Sequence, residues 1–531
     1  MDRLRGLFRN PLFLVCLAAF LTALVVQSGE LGTSDTTHRL QTTHSFWTSE
    51  DPVDPRDYPE FGIRGRNGKL YAWYGIGQSL LMLPADVVGT YVENLSIFDG
   101  YDAYPTPRSA VVSYSTNILV CVLTILVCFR LLAQLGFTIG QRIAGVFALL
   151  FCTTFLHYTQ NMMENNYILL LTLTGLSFQY EWVRTGSRRA LLAGSGTLGL
   201  NLLTRLTTGL DILAVAVFLG LVSWFPGTQG RELRARFREY SKIALPIYAA
   251  FFALDRVYQY HRFGSFFNTY MQVFAQEQKM LNPDLPAAFP FETPFHVGFL
   301  GALFKPEKSI FLFDPLLLLT LLLVIAAWRR FQPEIHAYLI AFTTLLFACI
   351  AFYAKYTDWS GDFAWGDRYA STAAQIVAFI SVPLLIRHRT DVRKAVWRAG
   401  LALVGASVVV QAASVMFWCP LEIYQMETLG HPTLVIGLRL KNIVAFALGK
   451  MDQWGLNNDA MKEDPWDYVH ITTYNFLPFL LARTGKSAAW AVKLLTVIWF
   501  ATLGATLALL SYIRRCSNRD IFEPRMTQHN T

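Results

Sequence analysis

Charge is what this sequence has least of. Only 15% of its 531 residues are Asp, Glu, Lys or Arg, against about 25% in an ordinary soluble domain. A surface so poor in charge cannot keep a 53% hydrophobic chain in water, which argues against a plain soluble enzyme. Cysteine is also scarce, with 7 in the chain. Cys16, Cys121, Cys128, Cys152 and Cys349 fall in apolar runs, Cys516 follows two arginines, and only Cys419 stands beside a long polar segment. No disulfide scaffold follows. There is no Asp-x-Asp triplet and no soluble α/β region, so a nucleotide-sugar enzyme of the usual soluble kind is disfavoured. Low-complexity stretches and clear internal repeats are missing too.

Apolar length is what the chain has in abundance, with a mean hydropathy of +0.35. A membrane-spanning helix needs about 20 apolar residues. About twelve stretches qualify, near 11–27, 108–134, 139–158, 163–182, 189–204, 208–225, 242–260, 311–328, 335–354, 369–386, 396–418 and 487–512. The run 71–92 is interrupted by Gly75, Gly77 and Pro84 and carries Asp86, so it reads as a helix at the membrane interface. Arg3, Arg5 and Arg9 precede the first span, no small-residue cleavage site follows it, and the span reads as a retained anchor. The expected fold is an all-α polytopic membrane protein with large outer loops.

The net charge of +8 and pI near 9.0 raise the question of nucleic acid. With the N-terminus placed in the cytoplasm, the inside segments hold about 24 Lys+Arg against about 7 Asp+Glu. The rest of the chain holds about 21 against about 30. The basic excess therefore sets orientation, and no nucleic-acid partner is needed. Both termini are expected to be cytoplasmic, in a bacterial plasma membrane. Four long segments then face outward, near 28–107, 261–310, 355–368 and 419–486.

Polar motifs cluster in those outer segments. Ser34-Asp35 follows the first span, where a carboxylate could act as a general base on a hydroxyl, or where either residue could cap a helix running to about Trp47. Asp35, His38 and His44 raise a metal site, but position 44 is poorly placed on a helix relative to 38. Asn67-Gly68 reads as a hairpin turn, followed by interface aromatics that include Tyr74. Glu164 stands at a span entrance, either capping the next helix or lining a cavity shared with Asp35. Arg205 and Lys308 each sit in a turn between apolar runs and either snorkel or hold a phosphate. The loop with Trp365, Asp367 and Arg368 is dense in Trp, Asp and Arg and suits a sugar and its phosphate, or forms an aromatic belt with a salt bridge. Gly194-Ser195-Gly196-Thr197-Leu198-Gly199 fits GxGxxG, but no strand precedes it, so it reads as helix packing by small residues.

Taken in order, Ser34-Asp35, Gly68-Lys69-Leu70-Tyr71, Tyr74-Gly75-Ile76-Gly77-Gln78-Ser79, Leu203-Thr204-Arg205, Phe304-Lys305-Pro306-Glu307-Lys308 and Trp365-Gly366-Asp367-Arg368-Tyr369 resemble the GT-C superfamily of membrane glycosyltransferases. More narrowly, they are similar to the phospholipid-carrier-dependent group around family 39, which includes protein mannosyltransferases and lipid A aminoarabinose transferases. The resemblance implies a polyprenyl-phosphate sugar donor and a lipid, glycan or protein acceptor whose hydroxyl attacks with inversion. It implies Asp35 as general base and Arg205, Lys308 and Arg368 as phosphate partners, and Glu164 is the second acidic candidate from its place at a span entrance. Tyr74, Trp365 and Asp367 would contact the sugar. No metal ligand is assigned, and a divalent metal stays open as a cofactor. Residues 1–386 would form the catalytic module and 387–531 a C-terminal helical part. Its segment 419–486, with Trp454, Asp459, Asp464, Trp466, Asp467 and His470, is a candidate for recognising the acceptor. The rival readings are a transporter or flippase of lipid-linked sugars, a ligase or polymerase on carrier-linked glycans, and a membrane scaffold. A transporter predicts broken helices and internal pseudo-symmetry, and the sequence shows neither clearly.

Overall fold

The structure is a computed structural model and describes residues 9–58, 61–224, 230–361, 364–418, 420–427, 429–451 and 473–518. Each of the twelve apolar stretches falls largely on helix. Helix α1 (Pro11–Val26) starts with Pro11 in its first turn, and the Asn10 side chain accepts from the amides of Leu12 and Phe13. The first long loop folds into helix α2 (Ser34–His44), a hairpin of β1 (Ile63–Arg64) and β2 (Leu70–Tyr71), and helix α3 (Gly77–Glu93). The hairpin turns at Asn67-Gly68, where Gly68 takes φ +75°.

Helices α4 (Pro107–Gln134), α5 (Ile139–Cys152), α6 (Phe155–Gln160), α7 (Asn165–Thr185), α8 (Arg188–Leu202), α9 (Gly209–Trp224) and α10 (Gly230–Phe263) follow. Next come α11 (Tyr270–Leu281), α12 (Phe295–Phe304), α13 (Ile310–Phe313), α14 (Leu316–Ala327), α15 (Pro333–Tyr353), α16 (Arg368–Phe379), α17 (Ser381–Arg387) and α18 (Lys394–Ser414). The C-terminal part contributes α19 (Pro420–Glu427), α20 (Val435–Ala447), α21 (Leu477–Thr484) and α22 (Ala489–Asn518). Among the described residues six stretches are long and apolar enough to cross a membrane by themselves: 107–134, 206–224, 333–353, 368–387, 394–414 and 489–517. This is an all-α integral membrane protein.

One apolar core runs from Leu14 on α1 to Cys516 on α22. Lipid tails are as apolar as the side chains, so close packing holds such helices together. The GxGxxG run supplies it. A Cβ on Gly194 of α8 would lie 2.9 Å from the Gly175 carbonyl of α7.

Two of the apolar stretches, 139–158 and 311–328, are broken, which the sequence did not lead us to expect. Thr153 turns extended after α5, and Asp314-Pro315 separates α13 from α14. The breaks face one another. Asp314 accepts from the Thr154 amide at 2.7 Å and from its hydroxyl at 3.0 Å, and Gln375 donates to the same hydroxyl at 3.1 Å. Each break thus supplies polar partners for the other, the condition for interrupting a helix at membrane depth.

The basic turns share one end of the bundle. Arg387 donates to the Gly136 carbonyl and to Gln332, Arg330 to the Asp391 carbonyl, and Arg184 to the Gln134 carbonyl. At the other end α1, α8, α15 and α18 finish, α7 and α16 begin, and the folded first loop lies across them.

Candidate active site

The site starts where α1 gives way to α2. Gly32 takes φ +86°, and a Cβ there would sit 2.6 Å from the Asn161 side-chain oxygen, so the chain passes only as glycine. The N-cap of α2 is Thr33, with no side-chain cap bond, rather than Ser34 or Asp35. Asp35 therefore sits in the first turn, where the helix dipole favours a carboxylate, and its oxygens serve other partners. Tyr74 donates its hydroxyl to Oδ1, and Arg368 donates Nη1 to Oδ2 at 2.8 Å. Arg39, one turn on and on the same face, lays its guanidinium 3.9 Å from the centre of the Tyr74 ring. Its Nη2 lies 2.9 Å from Glu164 Oε2, and Arg205 pairs with Glu164 Oε1. Glu164 heads α7 but makes no cap bond there, and it lines the same cavity as Asp35.

Backbone packing fixes these side chains. A Cβ on Gly75 would lie 2.3 Å from the Leu203 carbonyl, and the Gly77 amide donates to that carbonyl at 2.8 Å. The segment carrying Tyr74 is thereby pressed onto the turn carrying Arg205. Arg368 opens α16 because Asp367 caps it, accepting from the amides of Tyr369 and Ala370 at 3.0 and 3.1 Å. Asn165 of α7 donates to the Arg368 carbonyl at 2.7 Å. The Tyr369 ring stacks on Tyr353 at 3.9 Å, with the Arg205 and Arg368 guanidiniums 5.1 and 5.3 Å from its centre.

Together these groups line a cavity of about 960 Å³, whose walls also include Trp73, Asp358, the start of α11, Phe289–Phe291, Trp418 and the face of α19. Burial would raise the Asp35 carboxyl, but Arg368, Arg39 and the Tyr74 hydrogen bond outweigh it and hold the group below its ordinary value, so it is ionised. Burial pulls Arg39 down to about 10, which leaves it charged at neutral pH. Burial and the adjacent Asp35 keep the Tyr74 phenol protonated. Arg39 Nη1 and Arg368 Nε are buried with no hydrogen-bond partner among the described residues. A buried N–H without a partner carries a desolvation cost that an incoming acceptor relieves.

The structure gathers Asp35, Glu164, Arg205, Arg368 and Tyr74 at this cavity. It does not bring Lys308, Trp365 or Asp367 to its walls. Lys308 donates to the Ala364 carbonyl at 3.0 Å. Trp365 is 0% exposed, edge-on to Phe313 and beside His157, and Asp367 is spent on the α16 cap. His38 and His44 part company, His38 meeting Asp57 and stacking on Phe61, and His44 meeting Asp86 at 3.0 Å. No set of three metal-binding side chains converges among the described residues. Arg39, Asp358, Trp418 and α19 are cavity residues that the motif reading missed. For Arg39 the signal was its i+4 spacing from Asp35. Trp454, Asp459, Asp464, Trp466, Asp467 and His470 lie outside the described residues.

The helices define an integral membrane protein, and the cavity a charged, aromatic-walled site at one end of its bundle. No protein-family signature matches the chain, and no curated protein matches it. Among solved structures it is similar to ArnT from Cupriavidus metallidurans bound to undecaprenyl phosphate. Identity is 15%, the match covers 96% of this chain and 78% of that one, and the TM-score is 0.43.

Proposed function

We propose that this chain is a glycosyltransferase that moves a sugar from a polyprenyl-phosphate donor to an acceptor hydroxyl at the outer membrane face, with inversion. One observation carries the reading. An ionised carboxylate, Asp35, shares a cavity with the guanidiniums of Arg39, Arg205 and Arg368. That combination suits a base facing an anionic leaving group. The resemblance of the sequence motifs to carrier-dependent glycosyltransferases supports the same assignment.

In the reaction the acceptor oxygen attacks the anomeric carbon from the face opposite the phosphate. The new C–O bond forms as the bond to the phosphate oxygen breaks, and the electron pair leaves with the phosphate. The acceptor proton passes to Asp35 and then to water. Arg39, Arg205 and Arg368 offset the charge that grows on the departing phosphate. In the unliganded site Arg368 holds Asp35, which makes that carboxylate a weak base. A donor phosphate that draws Arg368 toward itself strengthens the base as the reactants assemble. The basic turns at the opposite end of the bundle support a cytoplasmic position for that end and for both termini.

The test is mass spectrometry of lipid-linked sugars and envelope glycans in cells of the source organism lacking the protein. A carrier-linked sugar should accumulate while a glycan or other acceptor loses one residue, and the wild-type chain should restore both where Asp35→Asn does not. Unchanged lipid-linked sugars in the deletion strain would contradict the reading.

A further inference from the structure

Asp35 lines a cavity whose walls differ in chemistry. One carries the three guanidiniums and Glu164. The other is Trp418 with α19, whose cavity-lining residues Pro420, Ile423, Tyr424 and Glu427 include no cation. The indole Nε1 of Trp418 donates to the Gly32 carbonyl at 3.4 Å, so this wall touches the chain three residues before the base. The backing of the wall is rigid. Glu422 on α19 pairs with Arg439 of α20 through two bonds of 2.6 Å, and both side chains are 0% exposed. Arg439 Nη1 donates to the carbonyls of Ala413 and Ser414 at the end of α18 and of Phe417 just beyond it. Gln425 and Asn442 exchange amide hydrogen bonds at 2.9 and 2.8 Å.

The chemistry of this wall differs from that of its partner. A phosphate needs donors and positive charge, and this wall offers two aromatic rings, an aliphatic side chain and a carboxylate. Aromatic faces stack on the C–H faces of sugar rings, and a carboxylate accepts from sugar hydroxyls. A peptide acceptor would gain from an exposed strand edge, and the only described strands are the short hairpin of the first loop. We infer that Trp418, Tyr424 and Glu427 form the acceptor subsite, and that the acceptor is a saccharide whose hydroxyl is delivered to Asp35. The inference rests on the proposed transferase reading and names the substrate class for the half of the site next to the base.

The test uses the purified full chain with three fractions from cells lacking it: a chloroform–methanol lipid extract as donor source, delipidated envelope glycan, and delipidated protein. Sugar transfer is followed by mass spectrometry as each fraction is titrated. The glycan fraction should accept sugar. Trp418→Ala and Glu427→Gln should each raise the half-saturating amount of glycan about tenfold, and move that of the lipid extract less than twofold. Trp418→Phe should recover most of the loss, which separates lost stacking from misfolding. A shift in lipid half-saturation instead assigns the wall to the donor and overturns the inference. Transfer to the protein or lipid fraction overturns the saccharide assignment while leaving the transferase reading intact. If no sugar leaves the lipid extract in any arm, both readings fall.

Discussion

Two arginine–carboxylate clusters in this protein look alike in composition and differ in completeness. Around Glu422 and Arg439 every guanidinium nitrogen has a hydrogen-bond partner, and the cluster is closed to solvent. Around Asp35 and Glu164, Arg39 Nη1 and Arg368 Nε have none among the described residues, and the residues of the cluster line a cavity. The first cluster is finished by the fold and serves it. The second is left incomplete among the described residues, at the wall of a cavity. Counting ion pairs would rank the second cluster, with three against one, as the more complete, whereas accounting for each donor reverses the order.

That contrast can be broken in stages. Arg439→Met leaves Glu422 buried without its partner, and removing one member of such a pair costs about 3–5 kcal/mol of stability. The expected result is a large fall in melting temperature in detergent, with part of it regained when Glu422→Leu is added. A wild-type melt in the single variant would remove the distinction between the clusters. Arg368→Gln should behave in the opposite way. Fold is largely kept, and the rate of transfer falls about 10²–10³-fold, the loss usual for a group that stabilises charge in the transition state. The same variant also tests the electrostatics. In the wild type Asp35 is held below its ordinary value, so its ionisation is lost at lower pH than for a free carboxylate, and the acid limb of kcat/KM is displaced in the same direction. Without Arg368 the carboxyl rises, and the limb should move to higher pH. A limb that stays in place would mean that Arg368 does not govern Asp35. The smallest effect is expected from Tyr74→Phe, which deletes one hydrogen bond to an anion. At about 1.5 kcal/mol the rate should drop roughly tenfold, and the acid limb should move up slightly.

Much of this was legible because spans and their edges announce themselves. Asp35, Glu164, Arg205 and Arg368 each stand within a few residues of an apolar run, where a charge is conspicuous. Composition failed where facing mattered. The loop holding Trp365 is polar and aromatic as a whole, but its tryptophan turns into the protein against Phe313. Lys308 likewise reaches a backbone carbonyl and not the cavity. Arg39 had only its i+4 spacing from Asp35 to mark it, within a polar helix whose buried face the fold defines. Trp418 could not have been found, since the Gly32 carbonyl it meets lies 386 residues away. The broken spans divide the same way. Pro315 gave a local signal for one break, and nothing near Thr153 marked the other.

The central claim is that Asp35 takes the acceptor proton in a cavity built to hold a carrier phosphate. Its most direct test is sugar transfer by purified wild-type and Asp35→Asn protein, using lipid extract and acceptor from cells lacking the chain, with folding checked by thermal melt. The account predicts an intact fold and a rate lowered about 10²–10⁴-fold, the usual contribution of a general base. A well-folded Asp35→Asn protein that transfers sugar at the wild-type rate would contradict it.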